Sequence, residues 1–397
     1  METLFLTSRL PFPPNRGDKL RVFNFLKNLS RAGQIIHLLS FIGSEKEQEY
    51  LIELHKFCEK IVTVLLPPLA SNLKAVFGLL DKIPLQVSYY RSNKMFREVK
   101  RMMDENKYDV IYVHLFRMAP YVLNCKNVYK IVDLTDVVSK EIELSISHRS
   151  GIKKWIYNVE FPRIRSYETK ISSEFDETWV ISKHEAELLR KYSPYSKIEV
   201  VPNGVDIDYF KPLNLEEDPY RLIFVGNLQI DHNIDAILYF YKEIFPVVRR
   251  KIPQTKFYIV GASPDHRLSN LARDKNVIIT GLVDDLNLYL NQANIFVAPL
   301  RFSAGVQNKI LEAMSAGLPV VCSDLANQGI KATPEREILI ANNSLHFAEQ
   351  LLYLLKNHER CKVIGLSARE FVKRNFKWET VVERFQVSEE RVRKITR

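Results

Sequence analysis

Short apolar runs alternate with amphipathic stretches along the whole chain, and this alternation predicts two open, mostly parallel α/β sheets. In the first half the pattern predicts a helix over Asp18–Leu29 among buried strands. The predicted strands of this half are Thr3–Leu6, Ile35–Phe41, Val110–Val113 and Tyr129–Val132. Those of the second half are Leu222–Val225, Phe257–Val260, Val277–Ile279, Ile295–Ala298 and Val320–Cys322. Open α/β sheets bind ligands beyond the carboxyl ends of their strands, so the loops after Leu6, Val113 and Val132 are expected to line a cleft.

Length and composition favour a globular chain with two domains. The 397 residues exceed one compact core, which suggests two α/β domains of about 200 residues each. The apolar N-terminal segment Leu4–Leu6 is too short for a signal peptide or a membrane span, so membrane contact is expected to be peripheral. The widely separated cysteines form no evident metal pair or disulfide framework, which favours a reducing, cytosolic compartment. They are Cys58, Cys125, Cys322 and Cys361.

The net charge of +10 indicates an acidic partner, such as nucleic acid, anionic lipid or a phosphorylated substrate. Basic residues are interleaved with aromatic ones from Arg149 to Lys170, and Leu69 to Tyr90 is amphipathic. Both patterns suit an anionic membrane surface or a lipid-linked acceptor, but an ordinary solvated helix packed on the core explains them equally well. The chain carries no zinc finger, basic heptad or aromatic RNA-binding signature, so nucleic acid is the weaker interpretation.

The stretch from Arg301 to Asp324 predicts a diphosphate site. A small-residue loop containing Gly305 leads into a helix that opens on Val306, Gln307, Asn308 and Lys309. The exposed N–H groups of a first helical turn attract an anion, and Lys309 adds a full positive charge. Glu312 returns to the same helical face, where its carboxylate can accept hydrogen bonds from sugar hydroxyls. A plain strand, helix, strand unit would also show the glycine stop at Gly317 and the apolar strand after it.

Several motifs follow one another in the order of a known family. They are Asn203-Gly204-Val205-Asp206, Val225-Gly226, Gly281-Leu282-Val283, Pro299, Leu311-Glu312-Ala313-Met314 and Gly317-Leu318-Pro319-Val320-Val321. With them the chain resembles, over nearly its whole length, the retaining GT-B glycosyltransferases of family 4. In the first half, the loop Pro11–Lys19 and the segment Asp133–Val137 are similar to the branch linked to exosortase-associated exopolysaccharide synthesis.

The resemblance implies a GT-B fold, with two Rossmann-like domains facing across a cleft. The acceptor domain would span residues 1–206 and the nucleotide-sugar domain 207–375, with a C-terminal helix at 376–397 crossing back to the first domain. The chain would be a cytoplasmic hexosyltransferase, peripheral on the inner face of the membrane. Its partners would be a nucleotide diphosphate sugar as co-substrate and a glycan or lipid-linked acceptor, and the resemblance implies neither a metal nor another cofactor.

The resemblance also assigns residues to the donor site. Gly281 and Val283 would contact the base, and Glu312 would bind the ribose hydroxyls. The diphosphate would lie against Val306, Gln307, Asn308 and Lys309, with Gly226, Arg301 and Gly305 in the same site. Gly17 and Asp18, at the start of the first helix, would close over the donor phosphate or the acceptor.

Three positions depart from the family pattern. Ala304 takes the place of the first of two glutamates, and Asn227 and His232 take the places of a basic pair. The departing diphosphate therefore needs another cation, because its negative charge grows as the glycosidic bond breaks. Lys309 is the strongest candidate. Its helpers would be Arg301, Arg9 and Arg16.

His114 and Asp136 are the candidate catalytic residues of the first domain, together with Lys309 in the second. His114 follows a predicted strand and would enter the cleft, although a lone histidine there is more often structural. Asp136 would orient the acceptor hydroxyl or steady an oxocarbenium-like charge, because retention in this family is thought to proceed by same-face attack assisted by the leaving phosphate. Helix capping near Ser139 is the alternative role for Asp133 and Asp136.

These patterns rank three hypotheses. The first is a metal-independent hexosyltransferase with a polysaccharide or lipid-linked acceptor. The second is a catalytically silent GT-B subunit that binds sugar nucleotide or glycan within a synthesis complex, which the departures at Ala304, Asn227 and His232 would favour. The third, a nicotinamide enzyme, lacks support because no Gly-x-Gly-x-x-Gly follows a predicted strand.

Overall fold

Two parallel sheets form the framework of the chain in the computed structural model. The structure describes residues 1–68, 71–72, 78, 83–146, 150–215, 218–302 and 306–383. One compact unit comprises Met1–Pro202 and the segment that begins at Val381, and the other comprises Asn203–Thr380. Outside the described residues lie Ala304, Gly305, Arg149, most of the amphipathic stretch 69–82 and residues 384–397 of the expected C-terminal helix.

The first unit holds a seven-stranded parallel sheet in the order β3-β2-β1-β4-β5-β6-β7. Its strands are β1 (Glu2–Thr7), β2 (Ile35–Ile42), β3 (Lys60–Leu65), β4 (Val110–His114), β5 (Tyr129–Thr135), β6 (Glu177–Val180) and β7 (Ile198–Val200). Its helices are α1 (Gly17–Arg31), α2 (Leu51–Leu54), α3 (Leu85–Tyr89), α4 (Asn93–Glu105), α5 (Val138–Ile146), α6 (Gly151–Glu174) and α7 (Lys183–Tyr192), with 3₁₀ turns at Glu45–Tyr50 and Phe116–Tyr121.

The second unit holds a six-stranded parallel sheet in the order β10-β9-β8-β11-β12-β13. Its strands are β8 (Arg221–Val225), β9 (Lys256–Val260), β10 (Val277–Gly281), β11 (Ile295–Ala298), β12 (Val320–Cys322) and β13 (Leu339–Ile340). Its helices are α8 (Asp231–Tyr239), α9 (Phe245–Lys251), α10 (Leu286–Asn291), α11 (Asn308–Ser315), α12 (Asp324–Asn327), α13 (Ser344–Lys356) and α14 (His358–Asn375), with a π-helical turn at Phe240–Ile244 and a 3₁₀ turn at His266–Arg273.

The predicted architecture of two doubly wound α/β domains is confirmed. The central strands are buried on both faces, as a parallel sheet covered by helices requires, and Phe5, Ile111 and Phe296 are completely inaccessible to solvent. Three strands were missed by sequence reasoning because they are short or carry polar residues. They are β3, β6 and β13.

A buried ion pair joins α1 to the central sheet of the first unit. Arg21 Nε donates to Asp133 Oδ2 at 2.6 Å, and both side chains are fully buried. Tyr112 donates its hydroxyl to the same carboxylate, and the backbone N–H of Thr135 donates to Asp133 Oδ1 at 2.9 Å. Since these groups occupy the carboxylate, the helix-capping role considered for Asp133 is wrong. Ser139 donates its N–H to Glu168 instead.

We expect Asp133→Asn to lower the free energy of unfolding by about 3–5 kcal/mol, because the substitution leaves the buried guanidinium of Arg21 without its counter-charge. Urea unfolding followed by tryptophan fluorescence measures the change, since Trp179 is buried beside Tyr112. The control is Asp104→Asn on the exposed face of α4, expected to change stability by less than about 0.5 kcal/mol. Equal stability of the two variants would contradict a structural role for the ion pair.

Candidate functional site

Lys309 lies in the first turn of α11, at the carboxyl edge of the second sheet. The chain leaves this edge at the end of β11 and enters α11 one loop later. Lys309 Nζ lies 4.9 Å from the centre of the Phe224 ring and donates to the side-chain oxygen of Asn233. Removal from water lowers the pKa of Lys309 to about 7, and the nearby Glu312 carboxylate only partly opposes this shift. The ammonium is therefore a partly desolvated cation that an incoming anion would stabilise.

Glu312 follows one helical turn later on the same face as Lys309. Burial raises the pKa of Glu312 to about 7, against the opposing effect of the Lys309 cation. The predicted pairing of a cation and a carboxylate on one face of this helix is therefore present. Their roles toward phosphate and ribose stay predictions.

Asn233 holds Lys309 in place, and sequence reasoning missed it. Only 2% of this side chain is exposed, and it lies in the first turn of α8. Its Nδ2 donates to the backbone oxygen of Asn227 at 2.9 Å, which leaves Oδ1 to accept from Lys309. Gly226 gives it room, because a Cβ at that position would lie 2.9 Å from Asn233 Nδ2. An asparagine in the first turn of the helix that follows a Val-Gly strand end is the signal that could have revealed it.

His232 adds no positive charge here at neutral pH. Burial, together with the nearby Lys309, lowers the pKa of His232 to about 4. Of the two positions where the family keeps a basic pair, Asn227 and His232, neither supplies a cation. Among Asn227, His232 and Lys309, only Lys309 can therefore supply a positive charge at neutral pH.

The ends of β8, β9 and β10 approach closely at the same edge. Gly226 N donates to Val260 O at 3.0 Å, and Gly261 N donates to Gly281 O at 3.1 Å. A Cβ at Gly261 would lie 1.8 Å from the Gly226 carbonyl oxygen, so only glycine fits there. Gly281 adopts a positive φ of 72°, which favours glycine. Gly261 therefore lets the predicted Gly226 and Gly281 lie close together, and its own importance was not predicted.

The remaining predicted donor residues have structural partners. Arg301 pairs with Asp235 through two hydrogen bonds of 2.5 and 2.9 Å, so its charge is already balanced by a carboxylate. Val306 and Gln307 are buried, and Val283 is half-buried. Asn308 accepts a hydrogen bond of 3.2 Å from Asn203.

The Asn203-Gly204 turn makes specific hydrogen bonds and packing contacts within the second unit. Asn203 is buried and contacts the first turn of α11 through its bond to Asn308. A Cβ at Gly204 would lie 2.5 Å from the Trp378 ring. Val205 N donates to Phe376 O at 2.7 Å. The turn therefore packs against the segment after α14.

In the first unit, His114 and Asp18 lie near the carboxyl ends of β1 and β4. Asp18 Oδ2 lies 2.7 Å from Arg9 and its Oδ1 lies 3.3 Å from Arg16. Burial alone would raise the pKa of Asp18, but Arg16 and Arg9 outweigh it and the pKa is lowered. Burial lowers the pKa of His114 to about 4, so its ring is neutral. Gly17 begins α1 directly before Asp18.

Asp136 lies between β5 and α5 among other carboxylates. Burial, together with the neighbouring Glu185 and Glu141, raises the pKa of Asp136 to about 7. Glu185 accepts the N–H of Val137 at 2.6 Å, which places it directly beside this turn. Asp136 is therefore partly protonated near neutral pH. Its role toward an acceptor stays a prediction.

Two family models match the chain. One, described as glycosyltransferase family 4, matches residues 20–209, and the other, described as glycosyl transferases group 1, matches residues 219–357. The chain belongs to the group 1 and family 4 glycosyltransferases. Its fold and enzyme class therefore agree with the predictions from sequence, while the exosortase-associated branch and retention stay predictions.

Relatives of this glycosyltransferase include an uncharacterized 44.6 kDa protein in the cps region of Klebsiella pneumoniae, 26% identical over 387 residues, which cover 94% of this chain and 96% of that protein. UDP-Gal:alpha-D-GlcNAc-diphosphoundecaprenol alpha-1,3-galactosyltransferase of Escherichia coli is 30% identical over 150 residues, covering 32% of this chain and 37% of that enzyme. Sucrose-phosphate synthase from Thermosynechococcus elongatus has a similar structure, with a TM-score of 0.73 at 17% identity, covering 98% of this chain and 99% of that one. The last likeness shows the shared fold alone.

No group of three or more His, Cys, Asp or Glu side chains in the described ranges is arranged to hold a metal ion. Metal independence remains a prediction. Among the residues that the structure describes, no helix has both the length and the apolar character needed to cross a bilayer.

The depressed pKa of Lys309 predicts a pH-dependent stability. Between pH 7 and about 10 the unfolded chain still binds this proton while the folded chain has released it, so the parent gains stability as pH rises. Relative to Lys309→Met, which has no proton to release here, the free energy of unfolding of the parent should therefore increase from pH 7 to pH 10. Urea titrations at both pH values measure the difference in the free energy of unfolding between the parent and each variant. Exposed Lys275→Met is the control. If the difference between the parent and Lys309→Met is the same at both pH values, the pKa of Lys309 is not depressed.

Proposed function

We propose that this glycosyltransferase moves a hexose from a nucleotide diphosphate sugar to a polysaccharide or lipid-linked glycan, with retention of the anomeric configuration. The observation that carries the proposal is Lys309, desolvated in the first turn of α11 and held by Asn233. An incoming diphosphate would raise the pKa of this amine and keep it protonated. A cation and the N–H groups of a helix start are the groups that stabilise a departing diphosphate.

The same geometry supports a role for Lys309 in the transition state. Negative charge on the diphosphate grows as the glycosidic bond breaks, so a preorganised cation stabilises the transition state more than the bound donor. Its position in low dielectric strengthens that interaction. Glu312, one turn further on, would accept the ribose hydroxyls, and the glycine-lined strand ends at Gly226 and Gly281 would let the nucleotide approach the backbone.

The E. coli relative supports a lipid-linked acceptor, because its name specifies a diphosphoundecaprenol-linked sugar. The relative in the cps region of Klebsiella pneumoniae supports a role in polysaccharide synthesis. The acceptor assignment is carried over from the E. coli enzyme as part of the proposal.

Two measurements test the proposed transfer. Thermal unfolding with saturating UDP, GDP, their sugar conjugates and NAD should show a shift with one nucleotide diphosphate series, since a ligand at about 100 times its dissociation constant adds about 2.7 kcal/mol. Lys309→Gln should lower turnover by about 100-fold or more, the cost of removing one group that stabilises the transition state, while the nucleoside still binds. Lys275→Gln, exposed on the same unit, should retain turnover.

The outcomes separate catalysis from silent binding. A parent that binds one nucleotide sugar but transfers or hydrolyses none would establish the catalytically silent subunit instead. A thermal shift with NAD alone would reject both the glycosyltransferase and the silent sugar-nucleotide-binding subunit. Equal turnover of Lys309→Gln and Lys275→Gln would remove Lys309 from the mechanism.

The start of α6 supports peripheral attachment to the cytoplasmic face of an anionic membrane as part of the proposal. Ile152 is 77% exposed and Trp155 is 57% exposed, and the intervening Lys153 and Lys154 are exposed as well. Apolar side chains beside lysines suit the interface of an anionic bilayer, where the rings and alkyl chains insert and the ammonium groups meet phosphate.

Co-sedimentation with vesicles tests this attachment. Ile152→Ser with Trp155→Ser should reduce binding to phosphatidylglycerol vesicles by about tenfold or more, because each buried apolar side chain contributes about 1.5–3 kcal/mol. The control replaces Ile52 and Leu345 by serine, because these apolar residues are similarly exposed elsewhere on the chain. Binding that is unaffected by the first pair, or lost equally with the control, would refute a membrane role for this segment.

A further inference from the structure

Helix α4 carries a row of cations on its solvent side. Lys94, Arg97 and Lys100 are all exposed. They follow one another at intervals of three residues, which places them along one side of the helix. In the part of the chain that the structure describes, no carboxylate forms an ion pair with any of the three. Their charges are therefore available to an anionic partner.

The carboxylates of α4 do not offset these charges. Glu98 pairs with Arg101 at 2.7 Å. Glu105 pairs with Lys60, outside the helix, at 2.8 Å. Asp104, the remaining carboxylate of α4, lies in its last turn. Three unpaired cations therefore face one carboxylate along this helix, which leaves an excess of two positive charges.

The order of the charges along α4 is unfavourable for the helix itself. Its first turn contains Lys94 and no acidic residue, whereas its last turn contains Asp104 and Glu105 and no basic residue. The helix dipole favours the opposite order, with carboxylates at the start and cations at the end. Helix stability therefore does not account for the position of these cations, whereas binding of an anionic partner would.

The helices α4 and α6 cover the same face of the first sheet. The chain passes from β3 through α3 and α4 to β4, and from β5 through α5 and α6 to β6. Both connections run toward β7 across the strand order, so right-handed crossovers place their helices on one face. Glu160 of α6 accepts the N–H of Leu85 in α3 at 2.8 Å, which agrees with this placement. The cations of α4 and the exposed Ile152 and Trp155 of α6 therefore lie on the same side of the first unit.

An anionic bilayer matches this combination of groups. Phe96 of α4 is 37% exposed beside the cations, and Ile152 and Trp155 are exposed apolar side chains on the same side. A bilayer supplies both negative headgroups and hydrocarbon, whereas nucleic acid supplies negative charge alone. Basic side chains near the surface of an anionic bilayer are attracted to it even without a directed hydrogen bond. A row of exposed cations is therefore sufficient for this partner.

We propose that α4 is the electrostatic contact of this chain with an anionic lipid bilayer, through Lys94, Arg97 and Lys100. The inference rests on the proposed membrane attachment of the first unit and deepens it, because it names the lipid class that the attachment requires. Since these cations are exposed, salt screens their attraction to the headgroups. The contact is therefore reversible and weakens as the ionic strength rises.

Co-sedimentation with phosphatidylcholine vesicles, with and without phosphatidylglycerol, tests the proposal. Lys94→Gln with Arg97→Gln and Lys100→Gln should weaken binding to the phosphatidylglycerol vesicles by about 100-fold, at roughly fivefold for each cation removed. Lys94→Arg with Arg97→Lys and Lys100→Arg keeps the three charges and should retain the affinity. The parent should bind vesicles of phosphatidylcholine alone far more weakly.

The matched control is Arg31→Gln with Lys46→Gln and Lys56→Gln. It removes three exposed charges of the same unit and changes the net charge by the same amount. These residues belong to connections that run toward β3 in the strand order, so they lie on the other face of the sheet. The control should therefore retain most of the affinity for phosphatidylglycerol vesicles.

Several results would overturn the proposal. Unchanged binding of the glutamine variant of α4, an equal loss in the control, or equal binding of the parent to both kinds of vesicle would each reject an electrostatic contact through α4. Titrations with duplex DNA and with polyglutamate test the other acidic partners. If the α4 variant loses binding to one of these polymers while the parent ignores phosphatidylglycerol, the partner is a nucleic acid or an acidic protein instead.

Failure of the other proposals gives a different pattern. If Ile152→Ser with Trp155→Ser leaves vesicle binding unchanged while the α4 variant loses it, apolar insertion is refuted and the electrostatic contact stands. The assay contains neither donor nor acceptor, so a parent that transfers no sugar still tests α4. Thermal unfolding verifies that the α4 variant is folded. We expect its stability to equal or exceed that of the parent, because removal of Lys94 relieves an unfavourable interaction with the helix dipole.

Discussion

The buried ion pair between Arg21 and Asp133 fixes the position of α1, and the polar groups at the carboxyl edge of the first sheet depend on it. Asp133 accepts from Arg21, Tyr112 and Thr135, which ties α1 to strands β4 and β5 at once. Such a pair is stabilising only while both charges and their hydrogen bonds are present. Because α1 cannot shift or rotate without breaking it, Asp18 and Lys19 are held where β1 and β4 end.

In the second unit, a neutral side chain instead of a carboxylate holds the desolvated cation in position. Lys309 is desolvated, but the group that receives its hydrogen bond is the amide of Asn233, and Glu312 opposes the pKa shift without cancelling it. An amide orients the ammonium without neutralising it. A fully paired lysine would stabilise the empty protein and respond weakly to an anion, whereas this arrangement leaves attraction available for a ligand.

Hydrophobic periodicity was sufficient to predict both sheets, because central parallel strands are apolar on both faces and read as unbroken runs. It failed for β3 and β6, which begin at Lys60 and Glu177 and contain the polar Thr63 and Thr178. Glu177 is buried and accepts hydrogen bonds from Trp179 on the same strand and from Tyr129 and Lys197, which only the tertiary structure brings close. Lys309 and Glu312 were predictable because helical spacing alone puts them on one face. Asn233 and Gly261 were not, since their importance comes from contacts between segments distant in sequence.

The cations at the carboxyl edges of the two sheets differ in number and in exposure. The cation of the second unit is one desolvated point charge, which interacts strongly over short distance with charge that develops on a bound group. The cations of the first unit are several side chains that include the exposed Arg16, and salt screens exposed charges efficiently. Several partly solvated cations attract an anion from solution and tolerate variation in its position. A single buried one is suited to stabilising a charge that grows at a fixed place, which is what cleavage of a sugar diphosphate requires.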